Sequence, residues 1–288
     1  MTTLTHTVKF PKGFISLLFI LTFLMAGFAL VQGLLTLYCT QELNLSDKQA
    51  YLINAAFVAS IFTLPVFSGA ITDYFLGYLP STLFSLSISI IGLYILCFQT
   101  LAHFYIGLAF FIVGNAISLV NLYVLLGRIL EKNPEKRVGG FTIGYTCMNL
   151  GAFLSLMLSG FITKEWGYQT SFLISAILLL LSLLTLLMNL RYYALVNQRS
   201  GEQHHSSYRQ FFGLLLLVAL ALCIAFFLYY MQYDPKILWF IGILALMLIL
   251  RVWQQTPYSE HKKLKTFLII TTFSRVMIES CVWHEMSC

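Results

Sequence analysis

The chain has 288 residues, of which 59% are hydrophobic and only 10% charged, with a formal net charge of +6. Soluble domains carry about 25% charged residues, so a water-facing globule is excluded. The basic surplus, expressed in a pI of about 9.0, is what anionic lipid headgroups attract, and no basic, aromatic footprint for nucleic acid accompanies it.

Apolar runs recur at close to the roughly 20 residues that cross a bilayer. In chain order they predict spans at 14–38, 51–72, 81–100, 104–127, 140–162, 169–190, 211–231 and 237–253, and a ninth begins near Thr266. Backbone groups in lipid must be satisfied within their own segment, so these are helices; the alternation of a barrel strand is absent. The expected fold is all-α and polytopic. Residues 1–191 would form a six-helix bundle, 192–210 a cytoplasmic linker and 211–253 a helical hairpin. Residues 254–288 would form a loop and the start of a truncated helix, since RVMIESCVWHEMSC is too polar to complete a span. The first run is too long for a signal-peptide core and reads as a retained span.

Orientation follows from the basic residues. With a cytoplasmic N-terminus, thirteen Lys and Arg fall on the cytoplasmic side, among them Lys12, Arg128, Arg137 and Arg191. Only Lys48, Lys164 and Lys236 fall opposite, a strong positive-inside bias. The expected location is therefore the plasma membrane or cell inner membrane, as a multi-pass protein.

Three motifs carry the chemistry. The second run ends in GAITDYFLGYLP, where Gly69, Asp73 and Gly77 recur every four residues. Asp73 could cap the next helix or pair with a cation on a neighbouring one, and the two glycines would allow close helix approach. An ordinary solvated loop acid is the alternative. The fourth run holds GNAISLVNLYVLLGR, with Asn115, Ser118 and Asn121 polar within an apolar helix. These either line a path or act as hydrogen-bonding glue between helices.

The third motif, GGFTIGYTCMNLGAFLSLMLSG from Gly139 to Gly160, is the most informative. Thr142, Tyr145 and Asn149 share one helix face, and Gly144, Cys147, Gly151 and Ser155 follow a neighbouring one. A polar stripe beside a small-residue stripe predicts a helix that packs tightly and lines an interior path.

Other chemistries find no support. There is no nucleophile elbow, phosphate loop or HExxH, so neither an enzyme nor a cofactor is expected. The six cysteines are scattered without metal or redox spacing and read as packing residues. His204 and His205 adjoin in the linker with no acidic or cysteine partner nearby, which favours a solvated segment over a metal site. The first six runs contain no Asp, Glu, Lys, Arg or His at depth. Arg275 and Glu279, four apart in the final run, are the intramembrane charges that could pair on one helix face.

Together, GAITDYFLG, GNAISLVN and GGFTIGYTCMNLGAF resemble the N-terminal half of the proton-coupled oligopeptide transporters of the major facilitator superfamily, over about 27–190. The hairpin after the sixth run resembles the two helices that bacterial members insert between their halves. The resemblance implies that Asn149 contacts the peptide backbone, that Tyr145 and Asn121 match family positions, and that Gly69, Asp73 and Gly77 form the gate motif. It also marks departures. Residues 21–25 read LTFLM where proton-coupled members carry Glu-x-x-Glu-Arg. Leu119 and Val120 replace a lysine and a proline, Phe62 a tyrosine, and Tyr74 and Tyr78 the basic gate residues.

The expectation is a secondary active carrier of di- and tripeptides working by alternating access. Substrate-facing positions would be Asn149, Tyr145, Asn121 and Phe62. Proton linkage is implied by the resemblance alone, and the usual coupling charges are missing. The expected partners are a small peptide, protons, the bilayer and a second half, supplied by a missing C-terminal half or a homodimer. The competing expectation is a truncated or decayed half-transporter without transport activity, serving as a structural or partner-binding membrane fragment.

Overall fold

The computed structural model describes residues 10–199 and 206–231, all within the compact unit Met1–Pro235. The expected span at 237–253, the ninth run, Arg275, Glu279, His204 and His205 lie outside the described residues. Among the described residues, seven α-helices follow in order: α1 (Phe14–Gln41), α2 (Asp47–Ile71), α3 (Tyr78–Leu96), α4 (Leu101–Ile129), α5 (Pro134–Met188), α6 (Leu190–Arg199) and α7 (Ser207–Met231). A π-helical turn, Thr72–Leu76, joins α2 to α3. No strand occurs among the described residues.

α5 contains two of the expected spans. Gly167 interrupts it at φ 79°, ψ 173°, a conformation essentially restricted to glycine. The helix therefore reverses there and forms two arms, residues 134–166 and 168–188. Elsewhere the helices outrun their apolar runs because polar caps extend them. Ser46 and Gln49 make a reciprocal capping box, with the Ser46 amide donating to Gln49 Oε1 at 3.1 Å, so α2 begins before its apolar run. Thr100 caps α4 by accepting the His103 amide.

The helices run alternately between two ends of the bundle. At the proximal end, where α1 begins, the Tyr193 hydroxyl of α6 donates to the Gly13 carbonyl at 3.1 Å. At the distal end, the Tyr168 hydroxyl donates to Gln41 Oε1 at 2.7 Å, and Gln169 Nε2 donates to the Cys97 carbonyl at 3.1 Å. By this topology the proximal end collects Lys12, Arg128, Lys132, Lys136, Arg137, Arg191, Arg199 and Arg209, against Lys48 and Lys164 at the distal end. Among the described residues, α1, α3, α4, α5 and α7 are long and apolar enough to cross a membrane. α2 carries more polar residues, yet its 25 residues rise about 37 Å alongside them.

α1 sits between the arms of α5 and is buried along most of its length. Small residues make this possible. A Cβ added at Gly151 would lie 2.4 Å from the Thr22 carbonyl oxygen, so only glycine permits that approach. One turn on, Ser155 Oγ donates to the Ala26 carbonyl at 2.6 Å. From the other arm, Ser182 Oγ donates to the Ile20 carbonyl at 2.8 Å. Of the expected small-residue stripe, Gly151 and Ser155 are buried against α1, Gly144 is buried nearest Leu126 of α4, and Cys147 is only half-buried.

α3 and α4 meet by the same device. Gly92 and Gly107 face each other across the contact, each within 2.7 Å of the other's carbonyl oxygen if given a Cβ. The Ser85 and Ser118 hydroxyls join at 2.7 Å. α7, the first helix of the expected hairpin, packs against α4 and α2. Its Gly213 sits on Phe75 and Leu76 of the π turn, and its Tyr229 ring meets Tyr105 of α4 edge-on at 5.6 Å.

Candidate functional site

One face of α4 is turned away from the bundle core. Leu119, Val120, Tyr123, Val124, Gly127 and Arg128 recur with helical spacing on that face, and Glu131 follows in the turn just past the helix end. Together with Arg137 and Phe141 of α5 they line an open cavity of about 690 Å³ toward the proximal end. Tyr123 and Phe141 stack with centroids 6.2 Å apart and planes within 3°. The Tyr123 hydroxyl donates to Met148 Sδ at 3.0 Å, fixing α4 against α5. A Cβ at Gly127 would touch the Phe141 ring at 3.6 Å and the Arg137 guanidinium at 3.9 Å. The cavity is therefore apolar toward mid-helix and charged at its proximal end.

Tyr145 and Asn149 continue the α5 face that begins with Arg137 and Phe141, at steps of four residues. Tyr145 is 62% exposed, and Asn149 is exposed. Asn149 Nδ2 donates to the Tyr145 carbonyl at 2.8 Å, which uses one amide hydrogen and turns the group along the helix. Thr142 bonds back to the Val138 carbonyl at 3.0 Å. These residues lie beyond the cavity lining, on an exposed face of α5.

Two expected residues fall elsewhere. Asn121 is 2% exposed and lies inside the bundle, not on the cavity wall. The α4 face that bears it also carries Asn115 and Ser118, and Ser118 is spent on α3. The Asn115 and Asn121 amide nitrogens have no hydrogen-bond partner among the described residues. Phe62 is 66% exposed on α2 and does not line the cavity. Leu119 and Val120, which replace the family's lysine and proline, do line it. On α1, the stretch that is charged in the resembling family is apolar here, and Leu21 is fully buried against the Gly144 position.

The sequence reading missed Tyr123, Arg128, Glu131, Arg137 and Phe141, because the charged ones looked like ordinary loop charges. The available signal was their register with Leu119 and Val120 along one face of α4.

The gate motif takes a definite form. Gly77 ends the π turn at φ 78°, ψ 159° and allows α3 to start at once. Thr72 and Ser81 hydroxyls tie the turn to α3 at 2.9 Å. Asp73 accepts a 2.5 Å hydrogen bond from the Tyr78 hydroxyl, and the Arg128 guanidinium lies 4.3 Å above the Tyr78 ring centroid. Tyr78 thus links the acid of the turn to a cation on α4. Gly69 does not mediate a close approach: a Cβ there would meet nothing within 4 Å among the described residues.

A central helix clasped by a reversed pair, with a groove beside it and charges gathered at one end, defines a polytopic α-helical membrane protein of carrier architecture. The sequence matches the Major Facilitator Superfamily over residues 17–274, and the chain belongs to that superfamily. It is 30% identical over 175 residues to dipeptide and tripeptide permease B of Aliivibrio fischeri (strain MJ11), covering 60% of this chain and 35% of the relative. Against the protein of the same name from Salmonella typhimurium it is 27% identical over 229 residues, covering 78% and 45%. The fold is similar to the crystal structure of tetrameric PepTSo2, with TM-score 0.75 and 20% identity over 90% of this chain and 57% of that one. It is also similar to a bacterial homologue of the human drug peptide transporters PepT1 and PepT2, with TM-score 0.73 and 20% identity over 83% and 54%. The chain therefore spans about a third to a half of the length of these curated relatives.

Proposed function

We propose that this chain forms one wall of the substrate path of an alternating-access carrier for di- and tripeptides. The observation that carries the reading is the α5 face, where Phe141 lines the cavity and Tyr145 and Asn149 extend the same wall. The permeases named above support it by the substrates in their names. Gly69, Asp73 and Gly77 would act at the gate, with Tyr78 passing the position of Asp73 to Arg128. The proximal end, rich in Lys and Arg, would be cytoplasmic. A second helical bundle, from further chain or a second copy, would close the path from the other side.

Proton linkage, which the family resemblance implies, would not run through α1, because Leu21 and Leu24 there are packed into the core. The test is reconstitution of the full chain in liposomes with labelled dialanine and trialanine, with and without a pH gradient. Uphill uptake in the gradient supports a coupled carrier, and downhill uptake alone supports a facilitator. Peptide binding without any uptake favours a fragment that binds but does not transport. Absence of both binding and uptake overturns the reading.

A further inference from the structure

α6 is built unlike the spans beside it. Its ten residues, LRYYALVNQR, rise about 15 Å, half of what crosses the hydrocarbon of a bilayer. Asn189, at φ −106°, ψ 12°, breaks it away from α5, and it packs on α3 and α4. Tyr192 and Tyr193 both lie against Gly13, and the Tyr193 hydroxyl donates to the Gly13 carbonyl. α1 starts at the next residue, Phe14. α6 therefore sits at the depth where a span leaves the hydrocarbon, a level at which tyrosine is enriched.

The helix has two sides. Tyr193, Val196 and Asn197 are buried. Arg191, Leu195, Gln198 and Arg199 recur with helical spacing on the other side, and all four are exposed. Lys12, just before Gly13 in the chain, is exposed as well. α6 contains no acid. The described acids of the proximal end, Asp73, Glu131 and Glu135, lie on the π turn, just past α4 and on α5. A guanidinium matches a phosphate with paired hydrogen bonds, and an exposed leucine between two such groups suits the boundary between headgroups and acyl chains.

We infer that the outward side of α6 is a docking site for anionic phospholipid, with Arg191 and Arg199 on headgroup phosphate and Leu195 at the acyl boundary. The two arginines are eight residues apart, about 12 Å along the axis. Through Tyr193 and Gly13, lipid held there would also secure the start of α1. The docking does not depend on what the chain carries. It falls to two arginines, not to the basic surface of the proximal end as a whole.

The test is native mass spectrometry of the full chain released from nanodiscs of equal parts phosphatidylglycerol and phosphatidylcholine. Retained phosphatidylglycerol is expected to exceed phosphatidylcholine about tenfold or more, the effect of two cations at a lipid surface. Arg191→Gln with Arg199→Gln is expected to bring the two lipids close to parity. Lys132→Gln with Arg209→Gln removes the same charge from the same end and is expected to keep the preference. Photoactivatable phosphatidylglycerol should label α6 in the unsubstituted chain, so a variant that fails to fold does not decide the outcome. Equal retention of the two lipids overturns the site. A preference lost equally in both double variants also overturns it, because diffuse charge then holds the lipid. Labelling that avoids α6 has the same force. If excess glycerol phosphate displaces the phosphatidylglycerol, the occupant is a soluble phosphate and the lipid docking is wrong.

Discussion

The Tyr78 hydroxyl donates to Asp73 across the π turn at 2.5 Å, at a position where the resembling family carries a basic residue. The tyrosine offers the acid a hydrogen bond and offers Arg128 a π face, so one side chain serves both neighbours. Tyr78→Phe removes the bond and keeps the ring. It is expected to cost about 1 kcal/mol, less than the roughly 1.5–3 kcal/mol of a bond to a charged group because Asp73 is exposed. Tyr78→Ala removes the ring too and should cost roughly 0.5–1 kcal/mol more from the cation contact alone. Denaturant titrations in detergent would measure both, and equal stability of the phenylalanine variant and the native chain would refute the bond's contribution.

The α1–α5 contact gives a sharper contrast between two glycines on one helix. A methyl at Gly151 would strike the Thr22 carbonyl oxygen at 2.4 Å, whereas one at Gly160 meets nothing within 4 Å among the described residues. Backbone atoms cannot rotate aside, so Gly151→Ala must separate the helices. The expected cost is about 1–3 kcal/mol. Gly160→Ala should be neutral or stabilising by up to about 1 kcal/mol, from helix propensity. Thermal melts of the two variants side by side check this, and a similar effect for both would contradict the close approach.

That contrast also shows how far the sequence could be read. Span positions and the small-residue stripe were legible because hydropathy and helical spacing are local properties. Helix ends were less so: Ser46, Gln49 and Thr100 extend α2 and α4 through polar caps that an apolar window ignores. The site was only partly legible. Tyr145 and Asn149 share one face of α5, as their spacing predicted, and that face is exposed, whereas on α4 Asn121 turns inward and Leu119 lines the cavity. Which face of an apolar helix meets protein depends on its neighbours, and both faces of α4 hold apolar residues. The charges of Arg128 and Arg137 looked like those of any loop until two helices brought them to one cavity.

At the proximal end, α6 holds α1 through Tyr193, whose hydroxyl meets Ser16 Oγ at 2.8 Å and donates to the Gly13 carbonyl. Burial pushes the Tyr193 phenol up to about 12; the Ser16 hydrogen bond lowers it and Tyr192 raises it to lesser extents. An unfolded tyrosine ionises near 10. The folded state therefore keeps the full contribution below about pH 10 and loses it as pH rises toward about 12. A melt series across that window should fall progressively. Tyr193→Phe is expected to be weaker by about 1 kcal/mol at neutral pH from the lost bonds, yet to show a shallower decline. An equally steep decline in the phenylalanine variant would assign the effect to other groups.

Asn149 separates binding from folding. Its side chain is exposed, and among the described residues it donates to the Tyr145 carbonyl, four residues back on the same helix. That carbonyl already takes part in the helix ladder, so losing the side-chain bond leaves no buried group unpaired. Alanine is also the better helix former, by up to about 0.7 kcal/mol. Asn149→Ala should therefore melt within about 0.5 kcal/mol of the native chain. If the α5 wall contacts a peptide backbone, the same substitution removes a donor and an acceptor from that contact and should weaken dipeptide binding about tenfold. Calorimetry and melting on one preparation decide between the roles. Loss of stability with binding intact would make Asn149 a structural residue, and loss of binding at unchanged stability would place it in the substrate path.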